Sequence, residues 1–127
     1  MIEHALFSIL SNAGGVSALV GSRIYPIMLP QNATFPCVSY SVDEGQEDDT
    51  FDGQGTFQEI SVEVDAWAKT HAEMLTVGGV CKTALKNYSG TVSGVTIDKI
   101  RIESSVCVYE DASEAFRKTW VITVFKR

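Results

Sequence analysis

Residues 60–67 carry the clearest periodic pattern in this chain, because apolar side chains occupy every second position. The apolar positions are Ile60, Val62, Val64 and Ala66. Successive side chains of a β-strand point to opposite faces of the sheet, so the pattern predicts a strand with one face against a hydrophobic core. A β-sheet is therefore the predicted framework of the fold.

Four other segments are predicted as extended chain. They are residues 23–27, 36–42, 97–109 and 116–127. Pro26 and Pro30 place the first of them at a sheet edge, since proline lacks the N–H that an inner strand donates. The second is predicted as half-buried, with Val38, Tyr40 and Val42 facing one way. Residues 110–114 join the last two strands.

The last two strands are each predicted to place four apolar side chains on one face. For residues 97–109 these are Ile100, Ile102, Val106 and Val108. For residues 116–127 they are Phe116, Trp120, Ile122 and Val124. Val121 and Phe125 make the opposite face of the final strand partly apolar, which exceeds what a one-sided sheet in a monomer needs. Val121 and Phe125 are therefore candidate subunit contacts.

Two segments have the three-to-four-residue spacing of amphipathic helices. The first starts at Ile2 and is expected to stop at Gly14 and Gly15, with one further helical turn from Val16 to Val20. The second covers residues 70–88. It contains Gly78 and Gly79, whose cost inside a helix predicts close packing of its backbone on the sheet.

These elements predict an α+β fold in which one mostly antiparallel sheet packs against two helices. A chain of 127 residues, 45 % hydrophobic and 20 % charged, is long enough for one unaided core, and residues 1–127 are expected to form a single domain. The chain starts without a signal-like segment and has no apolar run of membrane-spanning length. A soluble protein that begins in the cytoplasm is the expectation.

The formal charge of −6 disfavours binding to a phosphate backbone, which depends on Lys and Arg. Cys37, Cys81 and Cys107 are widely spaced and odd in number, which favours reduced, buried thiols over disulfides or a metal site.

Residues 43–55 contain six carboxylates, three glycines and one aromatic residue, and are predicted as a long mobile loop. Five residues fall at EF-hand positions one, three, five, six and twelve: Asp48, Thr50, Asp52, Gly53 and Glu59. Thr50 replaces the expected Asp or Asn, Gly55 occupies the hydrophobic position, and the flanks are strand-like. A small calcium-binding module is therefore a minor alternative.

Catalytic chemistry has little support in the sequence. His4 and His71 each lie at a helix start without a Ser, Cys or carboxylate at motif spacing, and no phosphate loop or nucleophile motif is present. No catalytic, cofactor-binding or metal-binding residue is assigned. An unrecognised small-molecule enzyme would need a pocket with convergent polar groups. Trp67 and Trp120 are interpreted first as core residues and second as partner anchors.

The order of motifs resembles one known family. A first helix is followed by Val-Ser-Ala-Leu-Val-Gly and Arg-Ile-Tyr-Pro at residues 16–21 and 23–26, then Phe-Pro-Cys-Val-Ser-Tyr at residues 35–40. Val-Glu-Val-Asp-Ala-Trp-Ala-Lys at residues 62–69 precedes the second helix. Together they resemble the tail-completion, or tail terminator, family of long-tailed bacteriophages and prophages.

The resemblance implies a ring, usually of six subunits, that caps the head-proximal end of the tail tube and stops its polymerisation. It also implies contacts with the major tail-tube protein and the head connector, passage of DNA without specific binding, assembly in the host cytoplasm, and no membrane or cofactor. On this hypothesis Glu47, Asp48, Asp49 and Asp52 lie on a ring face or in the lumen. The alternative within assembly is a head–tail connector or stopper, or a minor tail protein of the same fold.

Overall fold

The computed structural model describes residues 2–43 and 58–127. In chain order, the elements are α1 (Ile2–Asn12), α2 (Gly14–Val20), β1 (Ile24–Pro26), β2 (Cys37–Asp43), β3 (Gln58–Ala68), α3 (His71–Leu85), β4 (Gly90–Val92), β5 (Val95–Glu110) and β6 (Ala115–Lys126). The α+β prediction is confirmed. The mobile loop predicted for residues 43–55 lies outside the described residues, apart from Asp43 at the end of β2.

The six strands form one sheet in the order β1-β2-β3-β6-β5-β4. All neighbouring pairs are antiparallel except β1 and β2, which are parallel. The expectation that residues 23–27 form an edge strand is confirmed. Strand β4 was not predicted, since three residues are too few for a periodic pattern.

Side chains from all three helices and from one face of the sheet form a single hydrophobic cluster. We call this the inner face of the sheet and the opposite side the outer face. On β3 the inner residues are Ile60, Val62, Val64 and Ala66, as the alternation predicts. On β6 the buried inner residues are Trp120, Ile122 and Val124.

Helix α1 ends at Asn12, but Gly14 and Gly15 are the first residues of the next helix and do not form the predicted helix stop. Ala13 is extended, at φ −78° and ψ 119°, and separates the two helices. Gly21, at φ 59°, then closes α2. The predicted extra turn is therefore a helix of seven residues. The described residues form three helices where the sequence predicts two and a turn. In the described ranges, none of these helices is long and apolar enough to cross a membrane.

Strand β5 corrects the sequence prediction for residues 97–109. The register shifts between Ile102 and Ser104, which leaves Glu103 as an extra residue in a β-bulge. Ile102 pairs with inward-facing Ile122, whereas Val106 and Val108 pair with Thr119 and Arg117. The bulge thus moves Val106 and Val108 to the outer face, away from Ile100 and Ile102.

The prediction that β2 is half-buried is also corrected. Cys37 and Ser39 point to the outer face but are 0 % and 3 % exposed. The indole Nε1 of Trp67 donates to Ser39 Oγ at 3.0 Å, so a polar contact on the outer face helps to cover this end of the strand.

Helix α3 packs closely on β6 at Gly78. A Cβ atom there would lie 2.9 Å from Lys118 Cδ, and the indole Nε1 of Trp120 donates to the Gly78 carbonyl at 3.0 Å. Gly79 is exposed, and a Cβ added to it would meet nothing within 4 Å. Close packing therefore explains Gly78 but does not explain Gly79.

This difference predicts different results for a matched pair of substitutions. Gly79→Ala should raise the free energy of unfolding by about 1 kcal/mol, because alanine favours an exposed helix interior. Gly78→Ala should give a clearly smaller gain or a loss, because the new methyl group displaces Lys118 from beside Trp120. Denaturant unfolding of both variants measures the difference. Equal stabilisation by the two would contradict the packing argument.

Candidate assembly surface

A polar cluster occupies the outer face where β3, β5 and β6 run side by side. Thr119 is 4 % exposed and donates its hydroxyl proton to Asp65 Oδ1. The Thr119 oxygen also accepts a hydrogen bond from Arg117 Nη1 at 2.7 Å, and Arg117 Nη1 lies 3.6 Å from Asp65 Oδ1. The buried hydroxyl thus has both a donor and an acceptor as partners, which offsets the cost of its burial.

Arg117 extends this cluster to the end of β5 and across to β3. Its Nε and Nη2 atoms donate to Glu110 Oε2 at 3.2 and 2.7 Å. The guanidinium carbon lies 5.7 Å from the centroid of the Trp67 ring. The cluster therefore ties the β5–β6 hairpin to β3 through charge-assisted bonds and a cation–π contact.

A second polar group covers Phe125 at the other end of β6. The guanidinium of Arg101 lies 5.1 Å from the Phe125 ring centroid, and Arg101 Nε donates to Glu103 Oε2 at 2.7 Å. Thr123 Oγ1 donates to the same carboxylate oxygen at 2.8 Å. The hydrogen bonds from Thr123 and Arg101 lower the pKa of Glu103. The bulge residue therefore holds Arg101 over Phe125.

Val121 and Phe125, the predicted contact residues, both lie on the outer face, and both are partly exposed. Val121 pairs with Ser104 and lies diagonally from Val106, which is 51 % exposed. Glu47, Asp48, Asp49 and Asp52, the predicted acidic contacts, lie outside the described residues. The same is true of Thr50 and Gly53 of the EF-hand pattern, while Glu59 is exposed on β3.

The two tryptophans are separated by the sheet. Trp120 is 7 % exposed and belongs to the hydrophobic cluster, with the Lys118 and Lys82 ammonium groups 4.7 and 5.4 Å from its ring centroid. Its interpretation as a core residue is confirmed. Trp67 is partly exposed on the outer face and is held by Ser39 and Arg117.

The two histidines lie outside any cluster of catalytic groups in the described chain. His4 is exposed on α1. His71 is the first residue of α3, after Thr70, whose hydroxyl accepts from Glu73 N at 3.1 Å, and its ring packs edge-on against Phe116 at 5.9 Å. Within residues 2–43 and 58–127, no three His, Cys, Asp or Glu side chains are grouped closely enough to hold a metal ion.

One cleft of about 550 Å³ lies between residues 29–35 and the β5–β6 turn. Its charged lining residue is Lys69, whose Nζ donates to the carbonyls of Ser113 and Glu114 at 3.3 and 3.2 Å and lies 4.7 Å from the Phe35 ring centroid. The other lining side chains are neutral, and none is a histidine, cysteine or carboxylate. Apart from Lys69, whose Nζ is bonded to the two carbonyls, the cleft lining has no side chain that commonly acts as a general base.

The cysteines differ in exposure. All three are free thiols, as expected, but only Cys37 and Cys81 are buried. Burial raises the pKa of Cys37 to about 11 and that of Cys81 to about 12. Cys107 is exposed on β5, so the prediction that all three are buried is wrong for this residue. A lone cysteine in a strand has no sequence pattern that distinguishes an exposed thiol from a buried one.

The described surface thus combines exposed apolar side chains with hydrogen-bonded polar clusters. The family model described as tail completion protein gp17 matches residues 4–124, and the chain belongs to this family. It is therefore a structural protein of phage tail assembly, located in the tail of the virion. Membership of a structural family is consistent with the expectation that the chain is not an enzyme.

The fold is also found in a solved particle. A chain in the structure titled "Virion of native gene transfer agent (GTA) particle" superposes with a TM-score of 0.75 and is 17 % identical in sequence. The match covers 96 % of this chain and 91 % of that chain. At this identity the likeness shows a shared fold. A search of the curated proteins finds no match.

The polar cluster predicts that Thr119 is important for stability. Thr119→Val keeps the side-chain shape but removes the donor to Asp65 and the acceptor for Arg117, so it should lower the free energy of unfolding by about 1–3 kcal/mol. Thr123→Val is the matched control, because Thr123 lies on the same strand, β6, and also donates to a carboxylate, that of Glu103 on β5, but in an exposed setting. Denaturant unfolding should show a much smaller loss for the control. Equal losses would contradict the argument.

The cysteine environments predict selective labelling. In the native protein a thiol-reactive reagent at neutral pH should modify Cys107 and leave Cys37 and Cys81 unmodified until the chain unfolds. Burial excludes the reagent from both thiols, and their raised pKa values keep them protonated. Peptide mass spectrometry after labelling identifies the modified residue, and Cys107→Ser should abolish native labelling. Rapid modification of Cys37 or Cys81 in folded protein would contradict this.

Proposed function

We propose that the chain forms a ring of identical subunits, six in number, that caps the head-proximal end of the tail tube, stops its polymerisation and joins the tail to the head connector. The observation that carries the proposal is membership of the tail completion family over residues 4–124. The shared fold with a chain of a gene transfer agent virion supports it. The partners in this proposal are the major tail-tube protein and a head-completion connector protein.

A ring explains how a small chain without catalytic groups in its described part can end polymerisation. Identical subunits that meet head to tail form a closed ring when their rotation permits it. The two flat faces of such a ring differ, so one can bind the last tube ring while the other binds the connector. A formal charge of −6 reduces adhesion of DNA as it passes through the ring.

We also propose roles for the residues singled out in the sequence. Val121 is a subunit contact, since it lies partly exposed beside Val106 on the outer face. Phe125 contributes to the same contact through Arg101, which lies above its ring. The acidic residues Glu47, Asp48, Asp49 and Asp52 belong to a ring face or to the lumen.

The test removes the gene from the phage or prophage that encodes it. We expect over-long tails without heads, seen by electron microscopy, and recovery of normal tails when the wild-type chain is supplied in trans. The control is deletion of an unrelated non-structural gene. Normal free tails beside heads that lose DNA would instead indicate a connector or stopper and would contradict termination.

The same complementation assay tests the proposed contact residues one at a time. Val121→Glu should fail to restore tail length, because a charge on a desolvated contact costs several kcal/mol, whereas His4→Glu on the exposed side of α1 should restore it. Deletion of residues 47–54 should impair length control or head joining. Normal length and joining with this deletion would reject a role for the acidic residues.

A further inference from the structure

Most of strand β5 lies at an open edge of the sheet. Strand β4 pairs with β5 only over Val95–Ile97, so residues 98–110 have β6 on one side and no strand on the other in the described structure. The main-chain N–H of Asn87 donates to the Ile100 carbonyl at 3.0 Å. Beyond Ile100, no described residue outside the β5–β6 ladder bonds to the β5 main chain.

Alternate residues of a strand direct their main-chain N–H and C=O groups toward opposite neighbouring strands. The register of the sheet therefore shows which main-chain groups of β5 face the open edge. Val38 N donates to Arg23 O at 3.0 Å and Ile27 N donates to Tyr40 O at 2.6 Å, so Val38 and Tyr40 direct their groups toward β1. Following the register through β3 and β6 to β5, three residues after the bulge at Glu103 direct their N–H and C=O groups to the open edge. They are Ser105, Cys107 and Tyr109.

The opposite edge of the sheet is closed. The same alternation directs the groups of Ile24 and Pro26 away from β2. Ile24 N donates to Ser22 O at 2.8 Å, Pro26 has no N–H, and Met28 N donates to the Pro26 carbonyl at 2.7 Å. Natural proteins protect edge strands by such devices. This chain protects β1 in this way, whereas residues 104–109 of β5, which follow the bulge at Glu103, carry neither a proline nor a charge.

The open part of β5 has the composition of a pairing strand. Ser-Ser-Val-Cys-Val-Tyr at residues 104–109 contains no charge, proline or glycine. Val106 on the outer face is 51 % exposed, and Tyr109 on the inner face is 49 % exposed. An uncharged, β-favouring edge with exposed apolar side chains pairs readily with another extended chain.

We propose that this open edge of β5 is a contact between copies of the chain, in which β5 pairs through its main chain with an extended segment of the neighbouring copy. The inference rests on the proposed ring, which places identical copies side by side. Only a main chain matches the alternating donors and acceptors of Ser105, Cys107 and Tyr109. Since its own edge is closed, β1 is not the segment that the neighbour supplies.

The surroundings of the edge favour a second copy as its occupant. Val121 and Val106 form an apolar patch on the outer face directly beside it, so strand pairing also covers side chains that a free monomer exposes. The uncharged segment gives no attraction for nucleic acid, which needs Lys and Arg.

The experiment compares Ser105→Pro with Ser105→Ala in the full-length chain. Proline removes the N–H that points to the open edge and leaves the bonds to β6, whereas alanine changes the side chain alone. Analytical ultracentrifugation and electron microscopy, with and without purified tail tubes, report ring formation. We expect rings from the wild type and Ser105→Ala, and loss of rings with a folded monomer from Ser105→Pro.

A second measurement uses the wild type and does not depend on a variant folding. Cys107 lies in the middle of the edge, so its labelling by a thiol reagent should be lost in rings and kept in monomers. Rings from Ser105→Pro, or rings in which Cys107 still reacts, would overturn this inference and leave the proposed ring intact. A wild type that stays monomeric alone and on tail tubes would overturn both.

Discussion

The continuous pairing of β6 with both of its neighbours is the constraint on which the rest of the structure depends. From Phe116 to Lys126 this strand pairs with β3 on one side and with β5 on the other. Its register directs Trp120, Ile122 and Val124 into the core and Arg117, Thr119 and Val121 to the outer face. Because the side-chain period is two, a slip of one residue would bury Arg117 and expose Ile122. The register of β6 therefore decides both which side chains enter the core and which lie on the candidate assembly surface.

The sequence predicts the inner strands well because their alternation is uninterrupted. The faces of β5 could not be predicted, because a bulge adds one residue without leaving an apolar marker. Glu103 and its neighbours Ser104 and Ser105 are all polar, so counting by twos across them assigns Val106 to the wrong side. The sequence does contain a signal of the other irregularity in β5, the register shift between Ile97 and Lys99. Ile97 and Ile100 are both buried although they are three residues apart, which a regular strand with a period of two does not allow.

Burial on the outer face was hidden from the sequence for a different reason. Ser39 and Thr119 are buried by long-range partners, and no local pattern connects Ser39 to Trp67 or Thr119 to Asp65. The exposure of Cys107 follows from sheet topology, because its strand has a partner on one side only. Composition identified residues 43–55 as acidic but could not place them. The outer-face positions of Val121 and Phe125 were predictable because they follow from the period of one uninterrupted strand.

The polar clusters and the open edge belong to one arrangement. The Arg117–Glu110 pair holds the end of the β5–β6 hairpin, and Glu103 fixes the bulge by accepting from Arg101 and Thr123. Both lie at the ends of the uncharged segment between them, so the edge is held extended before any partner arrives. Ordering a flexible strand would cost about 1–2 kcal/mol per residue, and a strand that is already ordered avoids most of this cost on its own side. Charged side chains thus keep β5 ordered in the monomeric protein, while the main-chain groups at its open edge stay free for a neighbouring copy.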